Sequence, residues 1–381
     1  MPTRTYMVVD ARRDHSIRIP RPELSVKIGV PNACSGCHRD KSAGWAAQAA
    51  VRSFGHEPAG FQRFAAVLRA GSIGAPGAQE SLAKLIADRE QPAIARASAL
   101  ALMAGDPSSV TAASVRDGVR DASPLVRRAA ARALSGAAPR ASADTLAPVL
   151  DDRVREVRIE AGEVLAGVPA DTLRAAALER AIDEYVAAQE LNADRPEAHS
   201  NLASLFAREK RFAEAKTELT TALSLDPSFT PAAVNLADLD REWGREAEGE
   251  RVLRDAIARS PNDASLQHAF GLSLVRQGHG QEALDHLAAA ARLDPANARF
   301  AYVYAVALND AGQTGKALDV LEDDVARHPY DRDSLAALAD FYRSAGNPRK
   351  AVIYAKRLAE LEPNDAQVEQ QLMQLKTETQ P

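Results

Sequence analysis

Five prolines stand at Pro227, Pro261, Pro295, Pro329 and Pro363, at one unvarying interval. Twenty-four positions before each lies a small residue: Ala203, Ala237, Gly271, Ala305 and Ala339. The residue before that one is large: Leu202, Leu236, Phe270, Tyr304 and Leu338. Twelve positions before each proline stands Ala215, Gly249, Ala283, Ala317 or Ala351. A small residue on one helix lets a second helix approach, a large neighbour fills the space beside it, and proline stops the second helix and turns the chain. Self-similarity at a fixed period of this length is the mark of a stack of two-helix units, each burying its apolar face against the next.

The pattern resembles the tetratricopeptide repeat (TPR) position by position. Two departures are visible. Asp324 takes a small apolar position of the second helix, and Asp240 replaces an aromatic of the first. Both are expected to disturb local packing. A half repeat precedes the five, with Ala181, Tyr185, Ala188 and Ala193 in the same frame, so a lone second helix is expected over 173–191. The polar-faced stretch 365–380 suits a helix capping the open end.

Residues 45–170 carry a looser period. Ile94–Leu102, Val126–Leu134 and Val157–Leu165 are similar Ala/Leu/Arg-rich stretches whose starts are almost evenly spaced. Each follows a polar turn and ends near Gly105, Gly136 or Gly167, the capping asymmetry of a helix. Partner helices are expected at 109–119 and 142–150, and the glycine-rich stretch 71–77 as a loop. The Asp…Val-Arg…Ala…Leu pattern resembles bacterial HEAT-like repeats. The fold class read from this is all-α: an α-solenoid of HEAT-like repeats (45–170) followed by a TPR superhelix (171–381). A short irregular segment (1–44), with Pro2, Pro20, Pro22 and Pro31 and little helical period, precedes both.

That first segment holds the chemistry. Among 381 residues only two cysteines occur, in Cys34-Ser35-Gly36-Cys37-His38. This C-x-x-C-H spacing lets two thiols add to the vinyl groups of one haem while the next imidazole lies beneath the iron. Cys34 and Cys37 are therefore the candidate haem c attachment points, and His38 the proximal iron ligand. A thioredoxin-like dithiol needs a strand–turn–helix setting, and a zinc site needs two further ligands at short spacing; neither is evident. Of the other histidines, His15 and His56 are candidates for a distal ligand, with His15 preferred. Met7 is a weaker one, and His199, His268, His279, His286 and His328 read as packing or surface residues.

The stretch Tyr6-Met7…Asp14-His15-Ser16…Pro31-Asn32-Ala33-Cys34-Ser35-Gly36-Cys37-His38…Trp45 resembles the last haem segment of periplasmic multihaem c-type cytochromes with C-terminal TPR repeats. The resemblance implies that Met1 is internal to a longer protein, with more haems and an export signal upstream. It also implies His15 as a distal ligand, to this haem or to a neighbouring one, and a periplasmic location; without haem the chain reads as cytoplasmic. Residues 1–44 carry eight Lys/Arg against four acids in a chain of net charge −5, a surplus that haem propionates would offset. The basic stretch lacks interleaved aromatics, so nucleic-acid binding is not expected. No run of about 18 apolar residues reads as a membrane-spanning helix.

The expected function is electron transfer by a c-type haem beside a scaffold that docks a redox partner protein or holds a peptide in its TPR groove. Two alternatives remain open: a TPR interaction scaffold without haem, and a fragment of a multihaem reductase. No catalytic triad, P-loop or dinucleotide fingerprint appears, which favours a carrier or scaffold over an enzyme. Asn201 and Asn235, at equivalent positions of successive first helices, are weak candidates for binding an extended ligand backbone in the groove.

Overall fold

The computed structural model describes residues 3–6, 10–13, 20–57, 63–106, 108–137, 139–168, 175–363 and 365–379, the first two stretches by backbone alone. Strands β1 (Thr3–Tyr6) and β2 (Asp10–Arg13) pair antiparallel with Thr3 opposite Arg13. Then come α1 (Pro22–Ile28), α2 (Cys34–Cys37) and α3 (Ala43–Phe54). The first segment is thus less irregular than its composition suggests. Pro22 opens α1, where a missing amide costs nothing, and Gly29 closes it in the left-handed region.

Helices then stack: α4 (Phe64–Ser72), α5 (Ala78–Ala87), α6 (Ala93–Met103), α7 (Ser109–Gly118), α8 (Pro124–Arg132), α9 (Pro139–Leu146) and α10 (Arg155–Leu165). The expected helix over 142–150 is α9 followed by a 3-10 turn at Ala147–Asp151, because Pro148 cannot continue the hydrogen bonding of the preceding turn. The expected loop at 71–77 is shorter, since α4 runs on through Gly71. Leu82, Leu100, Met103 and Val126 form one shared core, and Leu146, Leu150, Val157 and Leu165 continue it.

A ladder of charged pairs runs through these repeats. Arg96 pairs with Asp121, Arg127 with Asp152 and Arg158 with Glu184. The three arginines are evenly spaced along the chain, one to each repeat. Arg127 makes bidentate bonds to Asp152 (2.6 and 2.9 Å) and donates to the carbonyls of Asp121 and Ala122 (2.9 and 3.1 Å). Each aspartate also accepts a backbone amide of its own turn, Ser123 at Asp121 and Val154 at Asp152, both 2.8 Å. Burial opposes ionisation of Asp152, but the bonds from Arg127 and the Val154 amide outweigh it and hold the carboxyl below its ordinary range.

The last rung crosses to α11 (Ala175–Glu190), the expected lone helix, whose Tyr185 packs with Ala166, Leu202 and Leu205. Five helix pairs follow: α12 (Pro196–Arg208) with α13 (Phe212–Leu225), α14 (Thr230–Glu242) with α15 (Glu246–Arg259), and α16 (Ala264–Arg276) with α17 (Gly280–Leu293). The last two pairs are α18 (Ala298–Asp310) with α19 (Thr314–Arg327) and α20 (Arg332–Ser344) with α21 (Pro348–Leu361); α22 (Ala366–Glu378) caps the stack. Asp263, Asn297, Asp331 and Asp365, spaced at the interval of the prolines, accept the first free amides of α16, α18, α20 and α22. The stack curves enough that Gly74, between α4 and α5, faces the backbone carbonyl of Tyr330, between α19 and α20.

The turn inside each pair needs one left-handed residue. Gly244, Gly278, Gly312 and Gly346 supply it in four repeats, and Lys210 supplies it in the first at φ 59°. A side chain costs about 1 kcal/mol in that conformation. Lys210→Gly is therefore expected to raise stability by about 0.5–1 kcal/mol, read as a higher midpoint in urea unfolding.

The two acidic departures are accommodated in part, each with one carboxylate oxygen bonded and the other without a partner among the described residues. Asp240 is buried and accepts from Lys216 at 2.7 Å. Asp324 is wholly buried; Oδ2 accepts from Ser334 at 2.9 Å, Oδ1 has no hydrogen bond among the described residues, and the His328 imidazole stands 3.8 Å away. Burial raises the Asp324 carboxyl above its ordinary range. A raised folded-state value means a contribution present below about pH 3.9 and lost as pH rises through the folded value. Asp324→Asn keeps the Ser334 bond and removes the charge. It is expected to gain about 1 kcal/mol at pH 7, a gain that narrows toward pH 4 in urea melts across that range.

Candidate functional site

The C-x-x-C-H residues lie on a single exposed helical turn. Pro31 and Gly29 break the chain before it, and Asn32 takes the place of a cap: Ser35 donates to Asn32 Oδ1 through its amide (3.1 Å) and its hydroxyl (3.3 Å). Asn32 Nδ2 in turn donates to Ser25 Oγ at 2.9 Å, tying the turn to α1. Cys34 is half-buried and Cys37 exposed, both as free thiols. The His38 amide closes the turn on the Cys34 carbonyl at 2.8 Å. Its exposed ring lies 4.8 Å from that of Trp45, whose amide is held by Ser42 Oγ at 3.1 Å. The structure thus brings Cys34, Cys37 and His38 together on one surface.

The donor set fits a haem c. Two free thiols and an imidazole share one turn, and the His38 ring has no hydrogen bond among the described residues. Val26 and Val30, on the same segment, expose their apolar side chains. His15 and Met7 lie outside the described residues. His56 is exposed, its Nδ1 2.8 Å from the Glu57 carbonyl. The repeat histidines are engaged in packing and turns. His199 contacts Glu218 (2.6 Å) and the Ala193 carbonyl (2.9 Å); burial opposes its charge, but these partners hold it above the ordinary imidazole range. His268 packs on Phe300 and His286 on Phe270, while His328 reaches the Pro295 carbonyl and His279 stands at the head of α17.

In the repeats, α12 touches α14, α14 touches α16 and α18 touches α20, so the first helices crowd together and form the inner layer of the curve. Asn201 and Asn235 lie on this layer. Asn201 donates to Gln189 Oε1 at 3.0 Å and Asn235 to Ser200 Oγ at 3.3 Å, so each amide nitrogen bridges to the preceding repeat. Their Oδ1 atoms carry no hydrogen bond among the described residues. Val275 exposes an apolar side chain on the same layer. Sequence reasoning did not find Asn32 or the arginine ladder, although the regular recurrence of Arg96, Arg127 and Arg158 was a usable signal.

Fold and site together define a helical-repeat protein, an α-solenoid with a tetratricopeptide stretch and a C-x-x-C-H turn near one end. Residues 179–363, just under half the chain, match the model of the tetratricopeptide repeat family. Among solved structures the chain is similar to MamA, at 19% identity over 43% of this chain and 96% of that one, with a TM-score of 0.38. It is also similar to Pseudomonas aeruginosa pilF (20% identity, 48% and 83% covered, TM-score 0.42). A third is YrrB, described as a TPR protein with an unusual peptide-binding site (19% identity, 50% and 96% covered, TM-score 0.38). No curated protein sequence matches the chain.

Proposed function

We propose that the repeat region, residues 171–381, is a protein-interaction scaffold whose inner layer of first helices receives a polypeptide partner. The observation that carries this is the inner layer itself: Asn201 and Asn235 offer free amide oxygens suited to a ligand's backbone amides, and Val275 an apolar contact. A photo-crosslinking residue at Val275 is expected to capture a polypeptide that the same residue at Ile353, exposed on the second helix α21, does not. Equal capture from both positions, or none from Val275, would remove the reading.

A second reading is favoured by the Cys34–His38 turn. Here residues 1–44 are a c-type haem segment and 45–170 a HEAT-like spacer between it and the TPR scaffold. Cys34 and Cys37 hold the haem, His38 is its proximal ligand and His15 its distal one, and the compartment is the periplasm, where such haem is attached. Bound there, the haem supplies a one-electron iron couple for exchange with a redox partner. Wild-type protein made alongside a cytochrome c maturation system is expected to carry one covalent haem by pyridine haemochrome assay, and Cys37→Ala to lose the doubly attached form. A wild-type chain without covalent haem, both thiols intact, would leave the scaffold reading alone.

A further inference from the structure

We infer that Trp45 is a positioning residue for the iron ligand His38, fixing the plane of its imidazole and keeping water from one side of it. The inference rests on the haem reading of the Cys34–His38 turn, and the role begins once the haem-bearing chain has folded. An imidazole bound to iron through one nitrogen can still turn about that bond. The usual restraint is a hydrogen bond from its second nitrogen to a carboxylate or a carbonyl. The His38 ring makes no such bond among the described residues. What it meets is the Trp45 indole, with ring centroids 4.8 Å apart and planes inclined by 52°. Aromatic pairs at this separation attract and prefer inclined or offset arrangements.

The indole is the fixed member of the pair. His38 is exposed, whereas Trp45 is half-buried in the first turn of α3. Ser42 Oγ accepts the Trp45 amide at 3.1 Å, the neighbouring Ala46 is buried, and α3 packs on α1. Two consequences follow for the iron. A fixed imidazole plane gives the ferric state one electronic environment. A shielded imidazole whose second nitrogen has no partner is also a weaker electron donor than one bonded to water. Removing the indole admits water, strengthens that donation and favours oxidised iron.

The experiment uses the full-length chain loaded with haem by a maturation system. It reads the midpoint potential by redox titration and the ferric signal by electron paramagnetic resonance, both per loaded haem. Trp45→Ala and Trp45→Leu are expected to shift the oxidised-to-reduced ratio about tenfold toward oxidised iron, a fall of about 59 mV for one electron. Both are expected to broaden the ferric signal. Trp45→Phe keeps a ring beside His38 and is expected to stay close to wild type. Phe54→Ala trims an exposed aromatic at the far end of the same helix and is expected to leave both readings unchanged. Trp45→Leu with the wild-type potential and signal, or an equal shift from Phe54→Ala, would overturn the role of Trp45 while leaving the haem reading standing. A wild type that carries no haem would overturn both.

Discussion

Arg127→Ala is expected to destabilise the chain by about 3–5 kcal/mol, because it strands the partners of a buried charge. Arg127 is buried and makes four bonds, two to the Asp152 carboxylate and two to the carbonyls of the preceding turn. Removing it leaves a carboxylate with little exposure and two carbonyls without their donor. The cost is that of stranded partners more than of a lost attraction. Arg127→Lys recovers little, because an ammonium cannot serve both the fork of Asp152 and the turn behind it. Urea unfolding followed by circular dichroism checks this. The transition is expected to split, residues 63–168 melting first and the TPR pairs later, because stability in a solenoid is a sum over neighbours. Because Asp152 is held below its ordinary range, the rung's contribution is present above about pH 3.9 and lost as pH falls through the lower folded value. Arg127→Ala should therefore matter less at pH 3 than at pH 7.

Gly167→Ala is the second large expected effect. Gly167 has φ 79°, and a Cβ there would run into the Arg208 carbonyl oxygen. Backbone strain and a clash with main chain, which cannot swing aside as a side chain can, together place the loss at about 2–4 kcal/mol. The damage falls at one place. Arg208 donates to the Glu163 carbonyl at 2.8 Å, so the turn after α10 and the end of α12 are closed on each other by this contact. The expected result is a lower melting temperature together with a changed relative placement of the two solenoids, visible by small-angle scattering. Gly105→Ala has a similar positive φ but nothing within 4 Å of the added carbon, and is the matched control: strain without the clash.

The helix pairs from α12 to α21 were legible because proline, small and large residues recur at fixed positions, and periodicity is what helix packing writes into a sequence. The shape of the turn at Cys34 was not legible: Pro31 and Gly36 argue against helix locally, and the bonds that brace the turn come from Asn32 and Ser25, side chains with no periodic signature. The ladder was missed for a different reason. Arg127 and Asp152 are distant in sequence, and only the stacking of one repeat on the next makes them neighbours. The disturbance expected at Asp324 and Asp240 is met by one polar partner each, Ser334 and Lys216, which leaves the second carboxylate oxygen of each without a hydrogen bond among the described residues. Both partners sit on other helices, and a single-helix pattern does not reveal them. Asn201 and Asn235 lie on successive first helices, and their bridging to the preceding repeat depends on side-chain geometry that spacing does not encode.

Gly74 and Tyr330 lie far apart in the chain, yet their turns meet. A touch of this kind closes a far larger loop than any contact between neighbouring repeats. Its loss leaves every helix pair intact, so a side chain at Gly74, whose φ is 65°, is expected to change how far the stack bends before it changes whether the stack folds.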